Sequence, residues 1–372
     1  MGGSVAHDGA LHAEAEAGTA PSGAWVMGYF SNWDDAANGG FYAVSSIDWD
    51  GLTHVAAAFY IPDGKGGWVP GNFDATLAAP LIAAAHAHGK KAIASIGGAS
   101  TGAGFEGSMQ TAQSAFVANL EALIAQGYDG LDLDWEGGNL TTAQDQALET
   151  TLIQALRAAS PDILISVTAG TENENYPDDL SWFGAIAPQI DRVDIMSYGM
   201  SGTYPGWSSW HSSPLHWNNN ATTPTGIDAT VSHYLAAGVP AGKLGVGTAF
   251  YGECYTAPVT APLQDTTGSQ VAGCCDAMSY RNMVADYLPN ASYNYDAVAQ
   301  VPYLTMTGNN PMGCSYVSYE DATSIAAKGA WAKAQGLGGT IVWTISEGFI
   351  PGGATISEQN PLLEAVRTAF LQ

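Results

Sequence analysis

The chain has 372 residues, which suits one large domain or two ordinary ones, and 46% of its residues are apolar. This apolar content excludes a wholly disordered chain and a small fold held only by disulfides. The net charge of −25 comes from 35 acidic and only 10 basic residues. Nucleic acid is therefore excluded as a partner, because phosphate binding needs clustered Lys and Arg. The absence of an 18-residue apolar run excludes a membrane-spanning helix.

The first 24 residues differ in composition from the rest of the chain. They are rich in Gly, Ala, His and Glu and lack the apolar stretch of an intact signal peptide. We interpret residues 1–24 as a poorly structured leader or linker, left where a native signal was removed. Residues 25–372 then form the folded domain.

Short apolar runs alternate with helix-like stretches along that domain. Continuous apolar runs rich in β-branched residues are typical of buried parallel strands. The predicted strands are Trp25–Phe30, Thr53–Phe59, Lys91–Ile96, Gly130–Trp135, Ile163–Thr168, Val193–Tyr198, Leu244–Ala249 and Gly339–Ile345. The predicted helices are Thr76–His88, Thr111–Gln126, Thr142–Ala159, Ile227–Ala237 and Asp321–Gln335. Several of these helices end at a glycine suited to a left-handed C-cap.

Eight strands that alternate with helices predict an α/β fold, a (β/α)8 barrel. A doubly wound sheet is the alternative, but no glycine-rich phosphate loop follows the first strand. The last two strands begin 95 residues apart, at Leu244 and Gly339. A single crossover helix does not need so much chain, so we expect an inserted subdomain at residues 255–318.

Four cysteines lie at or within this insertion: Cys254, Cys274, Cys275 and Cys314. Zinc ligation is weakly supported because no CxxC pair is present, and reduced core thiols remain an alternative. Local disulfides in an oxidising compartment are the better interpretation. A bridge between adjacent residues would be strained, so we expect Cys254 to pair with Cys274 or Cys275 and the other of these two to pair with Cys314.

The strongest local signal is the run of acids in the fourth predicted strand. Side chains alternate along a strand, so Asp132, Asp134 and Glu136 share one face, with neighbours roughly 6.6 Å apart. Repulsion and desolvation must raise at least one pKa among them, as general acid catalysis of glycosidic cleavage requires. Glu136 is at the C-terminal end of the strand, where barrel active sites lie. The alternative is a solvated acidic strand or a Mg²⁺ or Ca²⁺ site.

Six segments, in order, resemble motifs of one known family. The run Asp129-x-x-Asp132-x-Asp134-x-Glu136 is similar to the signature of family 18 glycoside hydrolases, the chitinases and their relatives. The other matching segments are Val26–Trp33, Ser95–Gly98, Met196–Tyr198, Phe250–Gly252 and Gly338–Trp343. Ser279–Tyr280 and Val317–Tyr319 resemble landmarks of the α+β insertion found in many members. The resemblance thus implies a TIM barrel with a small α+β insertion between strand seven and strand eight.

The resemblance also implies a substrate-assisted mechanism, in which the substrate's own N-acetyl oxygen attacks the anomeric carbon with net retention. Glu136 would be the general acid and base. Asp134 would bind the acetamido N–H, and Asp132 would pair with Asp134. Tyr198 would donate its hydroxyl to the acetamido oxygen.

Further residues follow from the same motifs. Tyr29 and Ser95 would support Asp132, and Trp343, with Met196 beside it, would form the floor under the −1 sugar. Tyr29, Tyr198, Met196 and Trp343 also admit an interpretation as ordinary barrel packing. The remaining substrate-contact candidates are Trp33, Gly98, Tyr251, Glu253, Trp207 and Trp210.

Two departures from the family pattern stand close to the expected site. Gly199 occupies a position where the family usually has Asp, and Glu253 one where it often has Arg. We expect a remodelled wall there, in which Glu253 replaces the missing acid. The loop after strand six is rich in aromatic residues, including Trp207 and Trp210, which are expected to be sugar platforms. The alternative is a loop folded over its own aromatic cluster.

The expected activity is hydrolysis of β-1,4 bonds between N-acetylglucosamine units by a secreted monomer that acts on chitin or chito-oligosaccharides. No metal or other cofactor is expected, and neither nucleic acid nor membrane is expected as a partner. The alternatives are a chitinase-like lectin without turnover, and an endo-β-N-acetylglucosaminidase that acts on N-glycans.

Overall fold

The computed structural model describes residues 23–137, 142–175, 177–219, 222–223, 225–273 and 275–372. Residues 1–22 of the expected leader, and Cys274, lie outside the described residues. In chain order the strands are β1 (Trp25–Ser31), β2 (His54–Tyr60), β3 (Lys91–Gly98), β4 (Gly130–Trp135), β5 (Leu164–Ala169), β6 (Arg192–Ile195), β7 (Leu244–Ala249), β8 (Glu253–Thr256), β9 (Val271–Gly273), β10 (Ala291–Asp296), β11 (Val301–Met306), β12 (Cys314–Ser318) and β13 (Gly339–Trp343).

Eight of these strands close into a parallel barrel in the order β1-β13-β7-β6-β5-β4-β3-β2. The predicted (β/α)8 barrel is therefore confirmed, and each of the eight predicted strands overlaps an observed one. The barrel strands are almost entirely buried, because the interior covers one face and the surrounding helices cover the other.

The helices are α1 (Ala75–Ala87), α2 (Gly102–Thr111), α3 (Gln113–Ala125), α4 (Ala143–Ala159), α5 (Ser181–Ile186), α6 (Ile227–Ala236), α7 (Tyr280–Asn282), α8 (Ala322–Ala334), α9 (Ile356–Gln359) and α10 (Pro361–Val366). Local sequence explains several of their ends. Asp74 caps α1 and Asp321 caps α8 by accepting backbone N–H bonds. The residues predicted as left-handed C-caps all have positive φ, namely Gly89, Gly127, Gly238 and Gly336.

The barrel interior is filled from its N-terminal end by the indole of Trp25. Gly245 of β7 and Gly339 of β13 leave room for it. A Cβ at Gly245 would lie 2.0 Å from the Trp25 ring, and one at Gly339 would lie 2.5 Å from it. Met27 and Ile341 belong to the same buried apolar cluster as Trp25 and pack beneath the polar residues at the C-terminal ends of the strands. The barrel interior is thus filled with apolar side chains towards the N-terminal ends of the strands and is polar at their C-terminal ends.

Strands β8 to β12 form a separate antiparallel sheet in the order β10-β11-β12-β8-β9, between β7 and α8. One disulfide joins Cys254 of β8 to Cys314 of β12, with the Cα atoms 5.6 Å apart. The expected pairing of Cys254 with Cys274 or Cys275, and of Cys314 with the other of these, is therefore wrong. The reason is strand pairing: β8 and β12 are antiparallel neighbours, which brings Cys254 and Cys314 together across the ladder.

Candidate active site

Asp132 lies at the centre of the barrel interior and is completely buried. Three hydroxyl groups donate to its carboxylate, two from the adjacent strands β3 and β5 and one from β1 across the barrel. Tyr29 and Ser95 donate to Oδ2 at 2.9 Å and 2.7 Å, and Ser166 donates to Oδ1 at 2.7 Å. Burial raises the pKa of Asp132, while the three hydroxyl donors lower it. The donors thus stabilise a carboxylate in a place that otherwise disfavours charge.

Asp134 and Glu136 continue the same face of β4 towards the C-terminal end of the barrel. Asp134 is 3% exposed and accepts a hydrogen bond from Thr168 at 2.8 Å. Burial, then the charge of Glu136, then that of Asp132 raise the pKa of Asp134 well above its usual range. Burial also raises the pKa of Glu136, which is partly exposed. The row therefore runs from a buried, well-bonded carboxylate to an accessible carboxyl group that retains its proton more readily than a free one.

Two glycines of β3 allow close approach of their neighbours, Gly97 of the β4 backbone and Gly98 of the ring of Phe59 on β2. A Cβ at Gly97 would lie 2.1 Å from the backbone oxygen of Asp134, and one at Gly98 would lie 2.9 Å from the ring of Phe59. Both have φ near +100°, at +113° and +99°, which favours glycine. Gly98 therefore acts through packing, and its lack of a side chain fixes the position of Phe59.

Tyr198 and Tyr251 lie next to each other, with ring centres 6.0 Å apart. Burial, followed by the charges of Asp134 and Glu136, raises the pKa of Tyr198 well above its usual range. Its hydroxyl consequently stays protonated and is able to donate. Met196 is half-buried and packs against the same interior apolar group as Tyr198.

Three aromatic side chains surround the ring of Trp343. Its ring is stacked on Phe59 at 5.5 Å between centres, and meets Tyr29 edge-on at 5.2 Å. Trp33 lies 6.1 Å from Trp343 and is 41% exposed. Trp33 and Trp343 therefore present partly open aromatic surface beside Tyr29, whose hydroxyl donates to Asp132.

Glu253 lies opposite Gly199 on the neighbouring wall. A Cβ at Gly199 would lie 3.8 Å from Oε1 of Glu253, so the carboxyl group occupies the space in front of this glycine. Oε2 of Glu253 accepts a hydrogen bond from Ser201 at 2.6 Å. Burial raises the pKa of Glu253, and hydrogen bonds from Ser201 and Ser212 oppose this shift. An acid is thus present near position 199, supplied from the start of β8.

Comparison with known proteins bears directly on this geometry. The family model for glycosyl hydrolases family 18 matches residues 25–348. The chain belongs to this family. Chitinase A1 of Niallia circulans is 30% identical over 288 residues, which cover 69% of this chain and 40% of that protein. The chain spans about half the length of the curated relatives it matches.

Solved structures share the family 18 fold. The Group IV chitinase of Ostrinia furnacalis gives a TM-score of 0.77 at 22% identity, over 94% of this chain and 100% of that chain. Human YKL-39, described as a pseudo-chitinase with retained chitooligosaccharide binding, gives a TM-score of 0.78 at 20% identity over the same shares. These structural similarities show that this chain has the same fold as those two proteins.

The aromatic loop after β6 is split between surface and interior in this family 18 chain. Trp207 and the exposed Tyr204 line two cavities of about 430 Å³ and 510 Å³, and Gly199 and Ser201 line the smaller one. Trp210, in contrast, is 1% exposed. The expectation that Trp210 is a sugar platform is wrong, because its ring is buried against Ala299 and Val301 of the insertion.

Sequence reasoning missed several family 18 site residues. Ser166 and Thr168 of β5 contact Asp132 and Asp134, and Phe59 stacks on Trp343. A signal existed for the first two. They are polar residues two positions apart in an apolar strand, and they share the face that points into the barrel.

In the described part of the chain, no group of three or more His, Cys, Asp and Glu residues has the arrangement to hold a metal ion. No helix described there is long and apolar enough to cross a membrane.

Proposed function

We propose that this protein is a chitinase, which hydrolyses β-1,4 bonds between N-acetylglucosamine units by a substrate-assisted, retaining mechanism. The observation that carries the proposal is the row of acids on β4. A fully buried Asp132 with three hydroxyl donors is followed by the buried Asp134 and then by the accessible Glu136. Such a gradient of burial suits an enzyme whose last carboxyl group must give and take a proton.

Glu136 is the general acid and base in this proposal. Its raised pKa keeps a proton available for the leaving glycosidic oxygen, and the resulting carboxylate then activates water. The nucleophile is the N-acetyl oxygen of the substrate, as in the substrate-assisted exceptions to the two-carboxylate scheme. Hydrolysis therefore requires an acetamido group on the sugar at the cleaved bond.

Asp134 binds the acetamido N–H and stabilises the positive charge that develops on the intermediate. Asp132 supports Asp134 from below, and Tyr29 and Ser95 keep Asp132 in place. The charges of Asp132 and Glu136 both raise the pKa of Asp134. The three acids therefore titrate together rather than as independent sites. A proton gained by one of them changes the affinity of the others for a proton.

Tyr198 donates its hydroxyl to the acetamido oxygen and aligns it with the anomeric carbon. Trp343 is the apolar floor for the sugar at this position, and Met196 packs beside Tyr198. Trp33, Tyr251 and the backbone at Gly98 complete the surroundings of that sugar. Support comes from the charges of Asp134 and Glu136, which act on Tyr198, and from the contact between Tyr198 and Tyr251. Trp343 contacts Tyr29, whose hydroxyl donates to Asp132.

Glu253 and Trp207 belong to the wall of the cleft in this proposal. Glu253 supplies the acid that family members carry at position 199, and Trp207 offers a platform to sugars beyond the cleaved bond. Support for both comes from the cavity of about 430 Å³, which Gly199, Ser201 and Trp207 line together. The disulfide between Cys254 and Cys314 supports secretion, since such bridges persist in oxidising compartments.

The test is turnover of three substrates by the purified protein: a chromogenic chitobioside, fully deacetylated chitosan and cellulose. The proposal predicts hydrolysis of the chitobioside alone, because the other two lack the acetamido nucleophile. Binding of chito-oligosaccharide without turnover would support a lectin instead. Release of oligosaccharides from N-glycoproteins, with no action on chito-oligosaccharides, would support an endo-β-N-acetylglucosaminidase.

A further inference from the structure

Tyr198 lies beyond the end of the barrel strand that carries it. Strand β6 ends at Ile195, and its ladder with β7 ends at the same residue. The next backbone bonds are local, since the N–H of Ser197 donates to the oxygen of Ile195 and the N–H of Tyr198 donates to the oxygen of Met196. The peptide group between Ser197 and Tyr198 therefore depends on side-chain partners for its orientation, because its oxygen lies outside the ladder.

Two serine hydroxyls bond to this peptide segment. The hydroxyl of Ser197 accepts a bond from the N–H of Gly247 in β7 at 2.7 Å and donates to the oxygen of Gly247 at 3.1 Å. The hydroxyl of Ser213, in the loop after β6, donates to the oxygen of Ser197 at 2.5 Å. Gly247 also leaves room for the aromatic ring, because a Cβ there would lie 2.6 Å from the ring of Tyr198. The Ser197–Tyr198 peptide is thus held by β7 and by Ser213.

A buried ion pair in turn holds the hydroxyl of Ser213. Nζ of Lys328, in α8, donates to Oγ of Ser213 at 2.6 Å and to Oε1 of Glu320. Oε2 of Glu320 accepts a bond from Ser324 at 2.6 Å. The side chains of Lys328 and Glu320 are almost completely buried. A continuous chain of bonds therefore runs from the Glu320–Lys328 pair through Ser213 to the peptide that precedes Tyr198.

The chemistry of the donors sets the direction of this chain. An ammonium group donates and does not accept, so the oxygen of Ser213 receives the bond from Lys328 and its proton is directed to the oxygen of Ser197. Hydrogen bonds from an ionised donor are roughly twice as strong as those between neutral groups. A buried ion pair adds little net stability, because desolvation offsets the attraction between its charges. Orientation of the Ser213 hydroxyl therefore explains the Glu320–Lys328 pair better than stability of the fold does.

We propose that Lys328, paired with Glu320, is a positioning residue for the reaction: through Ser213 it fixes the peptide that carries Tyr198, and so the position of the Tyr198 hydroxyl. This inference rests on the proposed function, in which that hydroxyl aligns the acetamido oxygen. A misplacement of about 1 Å costs about 100-fold in rate. We expect a smaller loss, of about 10-fold in kcat, when the chain is broken at Ser213, because β7 still holds Ser197.

The test measures kcat on a chromogenic chitobioside for Ser213→Ala in two backgrounds, the wild type and Tyr198→Phe. Ser213→Ala should lower kcat about 10-fold in the wild type. In Tyr198→Phe, which lacks the hydroxyl, the same change should lower kcat less than about twofold, because Ser213 acts through that hydroxyl. Lys328→Met combined with Glu320→Gln should give the same pattern. This paired change leaves no buried charge without its partner.

Ser209→Ala is the matched control. Ser209 belongs to the same loop as Ser213 and is also buried, and its hydroxyl donates to the oxygen of Ala261 at 2.7 Å. Its replacement removes a comparable bond and should retain kcat. An equal loss of kcat from Ser213→Ala in both backgrounds, or the same loss in Ser209→Ala, would overturn the inference. Full activity of the paired Lys328 and Glu320 variant would overturn the role of Lys328.

A second readout needs no activity. Crystal structures of the wild type, of Ser213→Ala and of the paired variant should show the Tyr198 hydroxyl displaced in both variants by more than about 0.5 Å, the tolerance within which a catalytic group is held. An unmoved hydroxyl would overturn the inference. If the wild-type protein does not hydrolyse the chitobioside, the proposed function fails, and the position of the Tyr198 hydroxyl still tests Lys328 and Ser213.

Discussion

Gly97 lies where β3 passes closest to the backbone of β4, so its replacement tests how tightly the fold holds the catalytic row. In Gly97→Ala the new Cβ would lie 2.1 Å from the oxygen of Asp134 and 2.7 Å from the ring of Phe105. A separation of at least 3.0 Å requires a displacement of roughly 1 Å. The backbone strain at φ +113° costs about 1–3 kcal/mol, and overpacking about 1–3 kcal/mol more.

The expected loss of unfolding free energy in Gly97→Ala is therefore about 2–6 kcal/mol. Activity should also fall about 100-fold, because a shift of roughly 1 Å at Asp134 disturbs the reacting geometry. The matched control is Gly89→Ala, at φ +68° with no atom within 4 Å of the new Cβ. It should lose only about 1–2 kcal/mol from backbone strain and retain activity.

Both variants are measured by chemical denaturation and by kcat on a chromogenic chitobioside. Equal destabilisation of the two variants would show that the contact with Asp134 carries no cost. Full activity in a folded Gly97→Ala would show that the position of β4 tolerates the displacement. Either result would contradict a tight contact between β3 and the catalytic strand.

Three other perturbations have expected outcomes. In Asp134→Asn, stability relative to wild type should rise with pH. Burial raises the folded pKa of Asp134, and the stability gained from that proton is lost as pH rises through the folded value, by up to about 1.4 kcal/mol per pH unit. Denaturation at pH 4 and pH 8 measures this. Paired replacement of Cys254 and Cys314 by serine should cost about 4 kcal/mol, since the bridge spans 60 residues; denaturation with and without reductant checks it. Trp210→Ala should cost about 3–5 kcal/mol of stability, whereas Trp207→Ala should weaken binding of chito-oligosaccharides in calorimetry and spare stability.

Each of these predictions has a contradicting result. A relative stability of Asp134→Asn that is flat or falls with pH would mean that the buried acid has an ordinary pKa. No change on loss of the Cys254–Cys314 bridge would mean that the insertion sheet is held by packing alone. Reversed effects of the two tryptophan variants would place Trp210, and not Trp207, at the ligand surface.

The barrel and the acidic row were predictable because both follow from local sequence patterns. Apolar runs mark the buried strands, and alternate positions place Asp132 and Asp134 on one face whatever the rest of the chain does. Helix α2 (Gly102–Thr111) was missed, because its three glycines weaken every helix signal. Its place is decided by packing of Phe105 against Trp135, a tertiary contact.

The insertion and the barrel floor were less predictable, because their residues act across large separations in sequence. The partner of Cys254 depends on which strand lies beside β8, and spacing among the cysteines does not reveal that. The burial of Trp210 depends on Ala299 and Val301 of the insertion. Arg192 lies just before the predicted sixth strand, Val193–Tyr198, so the sequence pattern did not place it in the barrel.

The role of Glu136 as the general acid is decided by the activity of Glu136→Gln on a chromogenic chitobioside, with calorimetric binding of a chito-oligosaccharide as its control. We expect a loss of about 10²–10⁴-fold in kcat, because the general acid is removed, with binding retained since the rest of the cleft is unchanged. Turnover near the wild-type level in a variant that binds normally would contradict the assignment of Glu136 as the acid.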